Sequence, residues 1–498
     1  MYPEPTHIVI QLSAEKDLDD VDDLGRWAPE NDDDLADAFA TIEKITGETL
    51  PPVRRLVTAY SVAELRALEL AAEDGEWPPM VSLTQYWRIN LDVPDSSSRR
   101  SWLEEIADLL RKVPRIERAY VEPPVVVPDT SLDEERSESA TEGDSIGPGQ
   151  PEPRRFRSTK ISHLSPAPCG INAEWAWGKP GGVGAWHGED DRHGKVRLID
   201  VEAAWQLDHN ALLHLQVPPP LSGWMDQAPR RISHGTAVLG IVGGKVPDQE
   251  EEASPMGICP EARVFVASHF RGDPNHTHVT NVLLEALEVL RCGDVVLLEV
   301  TALEDKKGLL AQRPVERDIA VRHAIRLLAG VGIVVIEAAG NADDDLDSLS
   351  TDNDLADLND PRPGADSGAI LVGGCHAAPG PDGAHRWGGS NYGARVDCYA
   401  WAEDVPTSGC DPQKQSTRCD PRIHYQYFGG TSAASAIIAG AAVLAQSLYR
   451  STSGRPLTPR ELRDLFSDPD NGTPAPANDQ IGVMPDLEKV TQAAWSLR

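Results

Sequence analysis

The sequence predicts an α/β protein whose main domain is a parallel sheet with helices on both faces, preceded by a smaller α+β domain. Beyond about residue 161, apolar runs rich in β-branched residues alternate with helical stretches. Buried strands separated by helices form parallel sheets that are covered on both sides. Before residue 127, strand-like segments that alternate apolar and polar residues are interleaved with helical patterns, which is typical of a smaller α+β unit.

The chain has 498 residues, enough for two to four domains at roughly 100–200 residues each. We place the first domain at residues 1–127, an acidic flexible linker at residues 128–160 and the second domain at residues 161–498. The linker is predicted because Asp129–Pro153 carries eight acidic residues and one arginine without apolar periodicity. Arg154–Arg157 then reverses the charge. Whether these arginines form a cleavage site or pair with the acidic linker stays open.

The first domain is predicted to contain four strands and three helices. The predicted strands are Thr6–Leu12, Arg54–Thr58, Ser82–Asp92 and Ile116–Val121, and the predicted helices are Leu35–Ile45, Val62–Glu73 and Trp102–Val113. Ser101 with Glu104 forms a capping box that predicts the start of the last helix. The acidic segment from Asp17 to Asp34 is predicted to be a solvated loop.

The second domain is predicted to alternate five strands with long helices. The predicted strands are Val196–Ile199, Arg263–Ala267, Val295–Val300, Ile333–Glu337 and Ala369–Val372, and the helices include Val279–Leu290, Val315–Leu328 and Ser432–Gln446. The longest apolar run, Ala436–Ala445, is shorter than the about 20 residues that cross a bilayer, so we expect no membrane partner.

Charge and cysteine content narrow the function classes. Lysine and arginine total 46 against 79 acidic residues, and the net charge of −33 argues against nucleic acid as a partner. The N-terminal residues lack a basic stretch followed by a long apolar one, so we expect a cytoplasmic protein. The seven scattered cysteines fit reduced thiols, with Cys410 and Cys419 as the one pair worth testing for a disulfide.

Three short segments of the second domain carry side chains that suit nucleophilic catalysis. Val196–Asp200 ends an apolar strand with a carboxylate, at the edge where open α/β sheets bind ligands. His234 precedes one apolar helix, and Ser432 lies at the N-terminus of another. The unpaired N–H groups and the dipole at that helix end favour a developing oxyanion.

In the order Asp200, His234, Ser432, these segments resemble the subtilase family of serine proteases, whose catalytic residues follow that order. Ile336–Asn341 is similar to the family's strand that ends in an oxyanion-hole asparagine. The resemblance implies that Ser432 attacks the peptide carbonyl, His234 takes its proton and Asp200 holds the imidazole. It also implies that Asn341 donates to the oxyanion, that the second domain has a subtilisin-like fold, and that the chain is a serine endopeptidase acting on proteins or peptides without a cofactor.

Relatives commonly read Ser-Leu-Gly after the strand that here ends at Leu298, and that segment lines their specificity pocket. This chain reads Glu299-Val300-Thr301, so the resemblance implies that these three residues bind substrate. At the rim of a pocket the Glu299 carboxylate would favour a basic substrate side chain, supported by the net charge of −33. The alternative, that Glu299 is paired or points away, stays open.

The first domain is similar to the propeptide domain of subtilases, which resembles a ferredoxin-like fold. The similarity lies in the order of strands and helices and in the closing segment Ile116–Pro124. Because the family's tail after this domain lies in the active-site cleft, the resemblance implies an intramolecular inhibitor. Prolines at positions 123, 124 and 128 argue against self-cleavage directly after the domain.

Several alternatives remain. A catalytically silent subtilase scaffold that binds a peptide is the second functional hypothesis. Gly143–Gly147 matches G-x-S-x-G but lies in the predicted linker, not between a strand and a helix. A zinc site could use His269, His276 and His278, but three histidines in a short polar loop are more often solvent-facing. The acidic run Asp343–Asp347 lacks EF-hand spacing, so no recognisable motif supports calcium and we expect no metal.

Overall fold

The structure is a computed structural model that describes thirteen stretches of the chain. They are residues 7–13, 18–91, 99–127, 162–182, 195–245, 257–271, 277–306, 309–349, 355–358, 360, 365–377, 384–409 and 425–497. The predicted linker, including Gly143–Gly147 and Arg154–Arg157, lies outside the described residues, as do His276 and the pair Cys410 and Cys419.

The first domain contains a four-stranded antiparallel sheet with three of its helices packed on one face. Its elements are β1 (His7–Leu12), α1 (Leu24–Asn31), α2 (Asp33–Thr46), β2 (Val53–Arg55), α3 (Val62–Ala72), β3 (Tyr86–Asn90), α4 (Arg99–Leu110) and β4 (Ile116–Val121), and the strands lie in the order β2-β3-β1-β4. Side chains alternate across β1 because successive residues of a strand point to opposite faces. Ile8 and Ile10 pack with the helices, whereas Val9 belongs to the apolar core shared with the second domain.

Two local predictions in this domain are wrong. The described part of the acidic segment up to Asp34 is not simply a solvated loop, because Asp23 and Asp32 cap the starts of α1 and α2. A carboxylate at that position accepts backbone N–H groups that have no partner inside the helix. Helix α4 begins at Arg99, so Ser101 lies within the helix and does not cap it.

The second domain contains an eight-stranded sheet, as the alternation of strands and helices predicted. The remaining strands in the described part of the chain are β5 (Val125–Val126), β6 (Arg197–Glu202), β7 (Arg263–Ser268), β8 (Val295–Leu298), β9 (Thr301–Lys306), β10 (Leu309–Pro314), β11 (Val334–Ala338), β12 (Ile370–Cys375), β13 (Cys398–Trp401), β14 (Val405–Ser408), β15 (Tyr425–Phe428), β16 (Gly472–Pro474) and β17 (Val483–Pro485). The large sheet has the order β16-β17-β13-β12-β11-β8-β6-β7, and its neighbours pair in parallel except for β16 with β17.

Helices cover both faces of this sheet and create two apolar cores. The remaining helices are α5 (Ala173–Trp177), α6 (Pro229–Gly243), α7 (Val279–Glu285), α8 (Ile319–Gly330), α9 (Gly430–Ser453), α10 (Pro459–Ser467) and α11 (Leu487–Trp495). Residues of α6, α9 and α11 belong to one core, and residues of α7 and α8 belong to the other. Helix α9 is long and apolar enough to span a membrane, but that stretch is entirely buried inside the protein.

The first domain packs its sheet and α3 against α7 and α8, on the side opposite to α1, α2 and α4. The Tyr120 hydroxyl donates to Asp318 Oδ1, the N-cap of α8, at 2.8 Å. The Tyr86 hydroxyl and His323 Nδ1 are hydrogen-bonded at 2.8 Å. Since both tyrosines are fully buried, the two domains share a continuous core.

Candidate active site

Ser432 lies in the first turn of the central helix of the second domain. It is the third residue of α9, which begins at Gly430 directly after Gly429 and the end of β15. The first N–H groups of a helix have no partner inside it, so backbone donors surround this hydroxyl. The predicted position of Ser432 at a helix N-terminus is therefore confirmed.

His234 contacts the serine directly. Its Nε2 lies 3.1 Å from Ser432 Oγ, and its Nδ1 lies 2.6 Å from Glu202 Oε1. The His234 and Phe428 rings pack in a T-shaped arrangement, with 5.0 Å between their centroids. His234 lies within α6 and not ahead of it, so the helix itself fixes the direction of the imidazole.

The prediction that Asp200 holds the imidazole needs correction. Strand β6 continues two residues past Asp200 to Glu202, and residues two apart on a strand face the same side. Glu202 is the carboxylate that reaches His234. Asp200 Oδ2 instead accepts a hydrogen bond from the Trp205 indole N–H at 2.7 Å. Sequence reasoning missed Glu202, although the i, i+2 spacing of two acids on a buried strand was a usable signal.

Burial dominates the electrostatics of this site. Asp200, Glu202 and Glu299 are all fully buried. Burial raises the pKa of each well above its ordinary range, and the neighbouring Glu202 raises that of Asp200 further. Asp200 Oδ1 and Glu202 Oε2 have no hydrogen-bond partner among the described residues. A carboxylate in such surroundings is stable as an anion only where a partner carries a positive charge or donates a hydrogen bond.

The Asn341 amide is held by Thr431, the residue before Ser432. Its Oδ1 accepts from the Thr431 backbone N–H at 3.0 Å and from the Thr431 hydroxyl at 2.8 Å. Because those groups are donors, the carbonyl end of the amide must face them. Asn341 Nδ2 is buried and has no partner within the described part of the chain. The free donor therefore lies beside the helix that carries Ser432.

Glu299 does not lie at the rim of a pocket. It is fully buried, and its Oε1 accepts a hydrogen bond from Ser435 Oγ at 2.5 Å. Ser435 is one turn after Ser432 on α9, so Glu299 ties the end of β8 to the catalytic helix. Val300 is also fully buried. The prediction of a basic substrate residue loses its basis, because a buried, hydrogen-bonded Glu299 cannot meet an exposed substrate cation.

Thr301 begins a strand that is already paired with the tail of the first domain. Val125 and Val126 of β5 pair antiparallel with Ala302 and Thr301 of β9. The Thr301 hydroxyl also donates to the Val126 carbonyl at 3.3 Å. The tail thus occupies backbone groups along one edge of β9.

The sites considered for metals have other contacts. His269 is buried, not solvent-facing, and its Nδ1–H donates to the Glu202 carbonyl at 2.9 Å. Burial lowers its pKa to about 3. His278 Nδ1 is hydrogen-bonded to Arg88 of the first domain. In the acidic run, Asp344 pairs with Arg313. Within the described residues, no three His, Cys, Asp or Glu side chains are grouped as a metal site would require.

Comparison with known proteins gives one family match and a set of similar folds. The sequence model described as the Subtilase family matches residues 224–478, just over half of the chain. No curated protein matches in sequence. Among solved structures, fervidolysin from Fervidobacterium pennivorans, a keratinolytic enzyme related to subtilisin, is similar with a TM-score of 0.51 and 14% identity. The match covers 98% of this chain and 61% of that one.

A second solved structure is similar over a smaller part of the chain. The prenylagaramide maturation protease PagA has a TM-score of 0.43 and 17% identity, covering 65% of this chain and 98% of that one. At these identities the structural matches describe the fold alone.

Proposed function

The chain belongs to the subtilase family of serine endopeptidases, and we propose that it hydrolyses peptide bonds with Ser432 as nucleophile and His234 as base. The observation that carries this proposal is the 3.1 Å contact between Ser432 Oγ and His234 Nε2. A serine hydroxyl is a weak nucleophile until a neighbouring base takes its proton. The proton moves to Nε2 as the Oγ–carbonyl bond forms, and His234 returns it to the leaving amine as the peptide C–N bond breaks.

Asn341 supplies a donor to the oxyanion in this proposal. Its unpartnered Nδ2 and the Ser432 backbone N–H are the two groups that would bind the negative oxygen of the tetrahedral intermediate. Such a donor contributes about 3–4 kcal/mol when it strengthens only in the transition state. The Thr431 contacts hold the amide in place before substrate arrives, so no reorganisation is needed during the reaction.

We further propose that the substrate is an extended peptide and that the first domain inhibits the enzyme in its own chain. β9 offers its edge to an added strand, and β5 uses that edge now. The Leu303 N–H donates to the Pro124 carbonyl at 2.8 Å, which extends the same pairing by one residue. Main-chain pairing of this kind holds a peptide regardless of most side chains. A substrate must therefore displace the tail from β9.

Labelling with a fluorophosphonate probe tests the proposed nucleophile. Wild-type protein is compared before and after limited proteolysis between the two domains, with Ser432→Ala and His234→Ala as the inactive variants. Ser447→Ala is the matched control, because Ser447 is a serine of the same helix that bonds to Gly181 far from His234. We expect labelling of wild type and of the control only, with faster labelling after the cut.

The same experiment decides the alternative function. Failure of wild-type protein to label in both states would overturn the peptidase proposal and favour a subtilase scaffold that binds peptides without turnover. Equal labelling before and after the cut would overturn inhibition by the first domain while leaving the peptidase intact.

A further inference from the structure

We infer that Glu202, and not Asp200, is the positioning carboxylate of His234, an inference that rests on the proposed peptidase function. Glu202 Oε1 lies 2.6 Å from His234 Nδ1, on the far side of the ring from Ser432. The three side chains form a continuous line from carboxylate to imidazole to hydroxyl. With the Nδ1 hydrogen bonded to the carboxylate, Nε2 is left unprotonated and free to accept from serine.

The geometry of β6 explains why Glu202 can hold the imidazole in place of Asp200. Asp200 and Glu202 face the same side of β6, about 6.6 Å apart along the strand at the usual rise per residue. Both are fully buried. The position of α6 therefore decides which carboxylate meets the imidazole. In this chain α6 brings His234 to the second of the two.

Trp205 gives Asp200 a different partner. Its indole N–H donates to Asp200 Oδ2 at 2.7 Å. The same ring packs against Gly235, the residue after His234, where an added Cβ would lie 2.7 Å from Trp205 Cδ1. The indole thus contacts both the aspartate and the helix that carries the base. Asp200 has a neutral donor, and no hydrogen bond from it to His234 is present among the described contacts.

The direct contact with His234 Nδ1 favours Glu202 as the anion of this site. The acids around the imidazole are Glu202 and Asp200 on β6 and Glu299 directly after β8, all fully buried. Burial raises the pKa of all three, so a single buried imidazolium stabilises at most one of them as a carboxylate. The carboxylate in contact with Nδ1 is stabilised most as an anion when His234 takes the serine proton. The proton stays on nitrogen, and Glu202 stabilises the cation without accepting it.

Paired substitutions test this assignment in the full chain after the cut between domains. Glu202→Gln and Asp200→Asn each remove one buried acid from the same face of the same strand and keep the side-chain size. We expect Glu202→Gln to lower kcat about 10³–10⁴-fold with KM within a few-fold, since the amide favours the wrong tautomer. Asp200→Asn should lower kcat less than about tenfold. Glu202→Asp, which restores the charge on a shorter side chain, should recover part of the loss.

Proton NMR of the folded variants, with folding checked by their dispersed amide and methyl signals, supplies a readout that does not depend on turnover. The Nδ1–H bound to a carboxylate gives a resonance far downfield of the amides, identified by its absence in His234→Ala. We expect it in wild type and Asp200→Asn and not in Glu202→Gln.

The outcomes separate the inference from the function on which it rests. A larger loss of kcat in Asp200→Asn than in Glu202→Gln, or loss of the downfield signal in Asp200→Asn alone, would overturn the role of Glu202. A wild-type enzyme that shows no Ser432-dependent turnover would overturn the proposed function, and the NMR comparison would still decide which acid contacts His234.

Discussion

Replacing Asn281 by alanine tests how firmly the first domain is held against the second. Asn281, on α7, is almost completely buried and binds a loop of the first domain with both ends of its amide. Its Oδ1 accepts from the backbone N–H groups of Thr58 and Ala59 at 2.6 and 3.0 Å. Its Nδ2 donates to the Leu56 carbonyl at 2.9 Å.

The free-energy cost of Asn281→Ala follows from these contacts. Alanine leaves two backbone donors and one backbone acceptor without partners, at about 1 kcal/mol for each of these three hydrogen bonds, and it also removes the longer contact from the Thr58 hydroxyl. The sum, about 3 kcal/mol, corresponds to an approximately 10²-fold increase in the population of the undocked loop. Thr58→Val is the matched control. It removes the hydroxyl contacts to Asn281 at 3.2 Å and to Arg271 at 2.9 Å but keeps the Thr58 N–H bond, so we expect a smaller loss of about 1–2 kcal/mol.

Hydrogen–deuterium exchange of the full-length chain measures the effect at the loop itself. Amides of residues 56–59 should exchange about 10²-fold faster in Asn281→Ala than in wild type, because exchange reports the population of the open state. The strands of the large sheet should keep their protection. Unchanged exchange in the loop would refute the claim that this side chain anchors the first domain, and uniformly faster exchange would mean that the whole fold was destabilised.

Three further predictions address the site and its surroundings. Asn341→Ala should lower kcat about 10²–10³-fold with little change in KM, measured with a chromogenic peptide; a change in KM alone would remove it from the oxyanion site. Burial lowers the pKa of His323 to about 3, so the unfolded state alone binds its proton between about pH 6.5 and 3 and the folded state loses stability as the pH falls. Wild type should therefore lose about 2 kcal/mol more than His323→Gln in urea unfolding between pH 7 and 5, and parallel pH curves would contradict this. Gly235→Ala should lower both Tm and kcat, since its Cβ would lie 2.3 Å from the Ala204 carbonyl; unchanged calorimetry and turnover would show that the backbone there can yield.

The parts of the fold that the sequence predicts best are those set by local patterns. The alternation in β1 predicts that Ile8 and Ile10 face one way and Val9 the other, and the structure separates them into two cores. The serine in its small-residue helix and the asparagine after β11 are also placed as expected. Each of these depends on a few adjacent residues, which a single sequence contains.

The choice between Asp200 and Glu202 could not be read from the sequence in the same way. The two acids are equivalent by strand periodicity, and their difference depends on where α6 packs and on the indole of Trp205. The direction of Glu299 is a similar case. The end of a strand leaves its side chain free to turn inward, and its partner Ser435 lies more than a hundred residues away in the sequence. Contacts between distant segments decide both positions.

Two contacts of the first domain with the second are joined by a short segment of chain, and this segment limits how the cleft can open. Tyr120, which binds the N-cap of α8, is followed after four residues by Val125, which pairs with β9. Pro123 and Pro124 lie between them, and each proline fixes its φ angle and restricts the residue before it. Because this segment is short and stiff, the tail cannot leave β9 while β4 stays packed on α8. If the tail blocks the substrate strand as proposed, the cleft opens only when the first domain undocks as a unit. A cut beyond Val126 lets the undocked domain diffuse away, and loosening the anchor at Asn281 should raise peptidase activity even in the uncut chain.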